Sequence, residues 1–329
     1  MKRVILLIAI FLFMTGCKKE EKFDKVFIEY YDYFDTYITL TYYGDESRKD
    51  EIAKAIDEKL KYYHNLLTDY EKDGVVSNIN HDRQGDNKEI VELTKRVLKD
   101  EENVGYTLDL SKGKLFRLWK EAILSEKLPP QQEIEEARQS GGRGTVEIVD
   151  DKIVLKDGAQ LDYGSVCKGY LNDELKSTLK ELGVENYILN SGGNITVKGR
   201  PAVDRDKFKI GIQSPFDLND YVETITATDI SVVTSGDYQR FAMIDGVRYH
   251  HIIDLKTGYP ANNQKRSITI VGPSAYTCDF LSTSLFLKEE NEIKDVLAKY
   301  PGYYYYTVYE DMTFTCSDEL RPMLGSSGN

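Results

Sequence analysis

Apolar residues along this chain fall into blocks of helical and extended periodicity. Tyr37 to Tyr43 is aromatic and β-branched and closes on Gly44-Asp45, which predicts a strand ending in a turn. Ile52, Ile56, Leu60, Tyr63 and Leu67 then recur at three- and four-residue steps, the pattern of an amphipathic helix, with Ser47 as its expected N-cap. A polar loop around Tyr70 leads to a second helix over about 88–101. The loop Gly105 to Asp109 leads to a third, carrying Leu115, Leu118 and Trp119. Thr145 to Leu155 predicts a hairpin turning at Asp150-Asp151. After Leu161-Asp162-Tyr163-Gly164, the stripe Leu171, Leu175, Leu179 and Leu182 predicts a helix that Gly183 stops. Tyr187-Ile188-Leu189 and Ile195-Thr196-Val197 read as strands, with a tight turn at Gly192-Gly193 between them. Residues 207–271 read mostly as short strands, 274–287 and 289–299 as helices, and Tyr303 to Tyr309 as a final strand whose tyrosines pack as a sheet face. Helices and antiparallel strands in such blocks predict an α+β fold.

The first residues follow a different pattern. Met1-Lys2-Arg3 is basic and the apolar run Val4 to Met14 is too short to span a bilayer, so it reads as a signal peptide. The run ends in Met14-Thr15-Gly16-Cys17, which resembles a bacterial lipobox. Residues 1–16 are therefore the expected lipoprotein signal peptide, Cys17 the lipidated residue, and 17–27 a charged tether. The expected location is the extracytoplasmic face of a cell membrane. Residues 28–320 form the expected catalytic domain and 321–329 a C-terminal tail. The formal charge is -12, and it becomes -14 when Lys2 and Arg3 leave, which argues against nucleic-acid binding. Of four cysteines, Cys167, Cys278 and Cys316 remain once Cys17 is lipidated. They show no CxxC or Cys/His ligand spacing, so neither a disulfide framework nor a zinc site is supported.

Three stretches carry candidate chemistry. In Leu161 to Asp173 a tight turn runs into a helix N-terminus with Lys168 in its first turn, a geometry that suits a phosphate. Asp279 and Thr283, four apart on a predicted helix, share a face and are both hard oxygen ligands for magnesium. Spacing alone also allows Asp279 to cap locally and Thr283 to face the core. Arg248 to Pro260 holds His250 and His251, two of only four histidines, beside Asp254. In an extended segment the two imidazoles point to opposite faces, so at most one serves a given site.

Taken together, these residues resemble the ApbE-type FAD:protein FMN transferases. The resemblance rests on Asp35-Thr36, Tyr70, Thr107-Leu108-Asp109, Leu161-Asp162, Lys168-Gly169-Tyr170 and Asp173. It continues through Ser191-Gly192-Gly193-Asn194, Thr234-Ser235-Gly236-Asp237-Tyr238, His251-Ile252-Ile253-Asp254 with Thr257-Gly258, and Asp279 with Ser282-Thr283. It implies an ApbE-like, T-fold-related α+β architecture in one or two subdomains. It also implies flavin or adenine contacts at Phe34, Tyr70, Thr107, Leu108, Asp109, Asp162, Lys168 and Ile253, and magnesium between Asp279, Thr283 and an oxygen at Ser165. The implied reaction takes FAD as substrate and attaches FMN to a threonine or serine of an acceptor flavoprotein, releasing AMP, with His251 as base and Asp254 orienting it. Two alternatives stay open: an FAD diphosphatase, and a lipoprotein that binds flavin without chemistry. Many family members have Met-Gly in place of Phe34-Asp35, proline in place of Leu255, serine in place of His250, and smaller residues around Val166-Cys167.

The lipobox reading predicts that Cys17→Ser abolishes acylation and cleavage before residue 17. Mass spectrometry of the membrane fraction checks it, and a mature wild-type chain without an acyl group would count against it.

Overall fold

The computed structural model describes residues 23–325. The signal-peptide reading, Cys17, the first part of the tether and residues 326–329 lie outside the described residues. Strands β1 (Asp24–Tyr33) and β2 (Thr36–Gly44) form a hairpin, and a 3-10 turn (Glu46–Arg48) leads to α1 (Lys49–Leu67). Then come α2 (Val75–Asp82), β3 (Gln84–Gly85), α3 (Lys88–Asn103), α4 (Gly113–Ser125), α5 (Gln131–Gln139) and the hairpin β4 (Val146–Val149) and β5 (Lys152–Leu155). Helix α6 (Cys167–Glu181) precedes β6 (Tyr187–Ser191), β7 (Asn194–Lys198), β8 (Phe208–Gln213), β9 (Tyr221–Ala227) and β10 (Ile230–Gly236). The short pairs β11 (Phe241–Ile244) with β12 (Val247–His250), and β13 (Ile253–Asp254) with β14 (Tyr259–Pro260), follow. β15 (Lys265–Gly272), α7 (Ala275–Phe286), α8 (Glu290–Leu297), β16 (Tyr304–Tyr309) and β17 (Phe314–Cys316) come next, followed by a 3-10 helix (Asp318–Met323).

An eight-stranded antiparallel sheet, ordered β1-β2-β6-β7-β10-β15-β16-β17, divides the interior. Because side chains alternate faces along a strand, Val233, Ile270 and Tyr305 enter one core with α1, α3, α6 and α7. Their neighbours Val232, Val271 and Tyr306 enter a second core against β8 and β9. The tyrosine run expected to form one sheet face is therefore split between both faces. The α+β expectation holds.

Several elements differ from the pattern reading. β1 begins at Asp24, inside the stretch read as tether, because Val26, Ile28 and Tyr30 alternate inward. Asp45, not Ser47, caps the turn before α1: its carboxylate accepts from the Ser47 amide and hydroxyl. Helices α2 and α5 were not expected, being short and polar with few buried positions. β17 follows β16, which is therefore not the last strand.

The contact that organises the site joins α6 to α7. Asp173 of α6 accepts from the Ser274 hydroxyl at 2.6 Å and from the Ala275 and Tyr276 amides at 3.0 and 3.1 Å, so it caps the N-terminus of α7. In return, Asp279 of α7 accepts from the Gly169 amide in the first turn of α6 at 2.9 Å. The helices come this close because residue 169 lacks a side chain. A Cβ there would sit 2.3 Å from the Ala275 carbonyl oxygen.

Replacing Asp173 with alanine orphans two amides at a helix start, so a loss of about 2 to 3 kcal/mol is expected. Urea unfolding measures it. A loss under about 0.5 kcal/mol would mean that Ser274 alone holds the start of α7.

Candidate functional site

The turn before α6 is fixed by its own chain. Asp162 Oδ1 accepts from the Gly164 amide at 2.6 Å, and the Tyr163 carbonyl accepts from Val166 and Cys167 at 2.9 and 2.8 Å. Asn80 of α2 clasps Leu161 with both amide atoms, at 2.6 and 2.9 Å. Since the Gly169 amide is diverted to Asp279, the Ser165 carbonyl receives no backbone donor among the described residues.

Around that carbonyl stand the other expected cation ligands. Asp279 is buried, and its second oxygen, Oδ1, lies 3.9 Å from Lys168 Nζ. Burial raises its pKa despite the pull of Lys168 and the Gly169 amide, so the carboxylate is short of positive charge. One turn on, the half-buried Thr283 hydroxyl lies 3.2 Å from Ser235 Oγ and 3.3 Å from the Asp279 carbonyl. Asp279 does not cap its own helix but receives a helix-start amide of α6, and Thr283 is only half-buried. No group of three or more His, Cys, Asp or Glu among the described residues is placed to hold a metal. A carboxylate oxygen, a hydroxyl and a free carbonyl form a different, all-oxygen set, which fits a hard divalent cation.

Phe34 and Tyr70 converge through a residue that the sequence reading passed over, His64. The Phe34 amide donates to His64 Nδ1 at 3.1 Å, and Nε2 meets Glu71 at 3.0 Å. Both aromatic rings stand edge-on to the imidazole, at 5.3 Å for Phe34 and 5.8 Å for Tyr70. Phe34 is buried, whereas Tyr70 is exposed with Lys120 Nζ 4.4 Å above its ring. Lys120 also pairs with Asp35 at 2.8 Å.

The loop 107–109 runs beside Asp162, whose amide donates to the Leu110 carbonyl at 2.9 Å. The Thr107 hydroxyl is buried without a partner, which suits a ligand contact. Leu108 is buried, and the Asp109 carboxylate is already engaged by the Ser111 amide and hydroxyl. Burial, then the nearby Asp69, push the Asp162 pKa up to about 6. Ile253 is buried and packed with Leu115 and Trp119.

The two histidines separate as the alternation predicts. His250 is buried, meets the Ala261 carbonyl through Nε2 at 2.9 Å and accepts from the Ile252 amide at Nδ1, 3.2 Å. Burial pushes its pKa down to about 4. His251 is exposed, and its Nδ1 lies 3.3 Å from the Arg240 carbonyl, which makes Nδ1 the protonated nitrogen and leaves Nε2 as the lone pair. The dense wall around it, then Arg240, His250 and Lys168, lower its pKa to about 3. Its open edge argues for a smaller drop, and in either case the ring is neutral at pH 7. Asp254 does not orient it. That carboxylate accepts from the Lys256 amide at 2.9 Å, closing its own turn, and Arg240 supplies the orienting oxygen.

The sequence pattern of the ApbE family matches residues 34–306, which takes in every site element described above. The chain belongs to the ApbE family. It is 32% identical over 246 residues to an FAD:protein FMN transferase of Vibrio cholerae, covering 71% of this chain and 72% of that protein. It is 28% identical over 249 residues to one from Klebsiella pneumoniae, covering 73% and 76%. The ApbE protein of Thermotoga maritima shares its fold with a TM-score of 0.82, at 27% identity over 91% of this chain and 99% of that one. Beside the motif residues, this ApbE chain places His64 and Arg240 at the site. Arg240 was legible in principle, because the pairing of Phe241 with His250 puts the next residues out, 240 and 251, side by side.

His250→Ala should cost about 1 to 3 kcal/mol by leaving the Ile252 amide and Ala261 carbonyl unpaired, while His251→Ala should leave stability nearly unchanged. Thermal unfolding of both variants checks this, and equal losses would overturn the division of roles.

Proposed function

We propose that this chain transfers FMN from FAD to a threonine or serine hydroxyl of an acceptor flavoprotein and releases AMP. The observation that carries the reading is a neutral, exposed His251 with its lone pair free, gathered with Asp279, Thr283 and the unpartnered Ser165 carbonyl near one helix start. The names of the curated relatives support it.

In this reaction the acceptor hydroxyl attacks the FMN-side phosphorus of FAD. The bond from that phosphorus to the bridging oxygen breaks, AMP leaves with the electron pair, and the hydroxyl proton passes to His251 Nε2. The α6 N-terminus and Lys168 face the diphosphate with positive charge. Tyr70 offers aromatic surface to the flavin beside the buried Phe34, and Thr107 offers its unpartnered hydroxyl. Asp279, Thr283 and the Ser165 carbonyl would hold magnesium, which when bound neutralises diphosphate charge. A neutral His251 favours the base role, and the approaching anion raises its proton affinity as the reaction begins. With Cys17 lipidated, the domain would work at the extracytoplasmic face of a membrane.

The soluble domain, incubated with FAD, magnesium and an acceptor, should release AMP and leave flavin fluorescence on denatured acceptor protein. AMP release with no bound flavin would favour the diphosphatase, and neither would leave a binding protein. His251→Ala should lower the transfer rate by about a hundredfold with FAD affinity little changed. Asp279→Ala should remove most activity and lose its response to chelation. Wild-type turnover by Asp279→Ala in chelator would overturn the metal assignment.

A further inference from the structure

Arg240 presents both its main-chain carbonyl and its guanidinium to this site. Its carbonyl accepts from the His251 amide at 3.2 Å and meets His251 Nδ1 at 3.3 Å. Its guanidinium crosses toward the β1–β2 turn, where Nη2 makes one long bond, 3.4 Å, to the Asp35 carbonyl. The other cations around the site are paired with carboxylates: Lys120 with Asp35, Arg117 with Asp69, Lys168 with Asp279, and Arg248 and Arg266 with Asp237. Among the described residues, Arg240 has no carboxylate partner, and most of its five N–H donors are uncommitted. It is exposed, and its charge is felt at His251, at Cys167 in the first turn of α6, and at Asp35, on three elements that border the site.

A planar fork of largely uncommitted donors near the base and the helix start matches phosphoryl oxygens, which accept bidentate bonds. We infer that the Arg240 guanidinium binds the diphosphate of FAD while its carbonyl fixes the tautomer of His251, so that one residue sets the distance between base and phosphorus. The inference rests on the flavin-transfer reading. It adds a substrate contact that neither the motif resemblance nor the paired cations supply. Because the carbonyl belongs to the main chain, side-chain replacement removes the anion contact and leaves the hold on His251.

The test compares FAD with riboflavin, which keeps the ring and lacks the diphosphate. Binding is followed by flavin fluorescence for the wild type, Arg240→Gln and Arg240→Lys. Arg240→Gln should weaken FAD about tenfold or more and lower the transfer rate, leave riboflavin binding within about twofold, and be partly rescued by Arg240→Lys. Equal weakening of both ligands, or no change for FAD, would overturn the inference. A wild type that binds FAD without transferring flavin defeats the transferase reading alone, since the comparison with riboflavin still decides the diphosphate contact. A wild type that binds neither ligand defeats both.

Discussion

Everything at the site depends on the exchange of carboxylates between α6 and α7. Each helix sends an aspartate to the other's N-terminus, Asp173 to the start of α7 and Asp279 to the start of α6. Helix starts carry unpaired amides and partial positive charge, so each carboxylate stabilises the partner helix. The exchange also has a chemical consequence. By taking the Gly169 amide, Asp279 strips the Ser165 carbonyl of its normal helical donor and leaves an oxygen exposed beside a carboxylate. Glycine at 169 makes this possible, because any side chain would hold the helices apart.

Much of this was legible in the chain. The leucine stripe of α6, the boundaries of α7 and the turn at Asp150-Asp151 follow from local periodicity and turn chemistry, which act over a few residues. The positive φ of Asp150 and Asp151 is what a two-residue hairpin turn demands. Short elements escaped because their burial is set by distant partners. Helix α2 exists to deliver Asn80 to Leu161, eighty-one residues on, and nothing within its own eight residues announces that.

The site divides the same way. Asp279 and Thr283 were legible from helical spacing, and the contrast between His250 and His251 from strand alternation. Which oxygen holds His251 was not, because Asp254 is nearest in sequence while Arg240 is nearest across a hairpin. Asp254 is drawn into its own turn by the Lys256 amide, a local bond that competes with any longer reach. His64 was hidden for a similar reason. It lies at the end of α1, and its role appears only when the β1–β2 turn folds Phe34 over it.

The charge pattern explains why such an arrangement suits an anionic substrate on an acidic protein. With a formal charge of -12, the long-range field repels a dinucleotide, so attraction has to be local and held in place. Most basic side chains around the site are already neutralised by neighbouring carboxylates and serve as struts. What remains for a diphosphate is the helix start, Lys168 loosely paired at 3.9 Å, and the Arg240 guanidinium, which has no carboxylate partner among the described residues. The oxygens of Asp279 are divided: Oδ2 accepts from the Gly169 amide, while Oδ1 lies 3.9 Å from the Lys168 ammonium. At that distance Lys168 lowers the cost of burying the carboxylate without ending it, and burial keeps the Asp279 pKa raised.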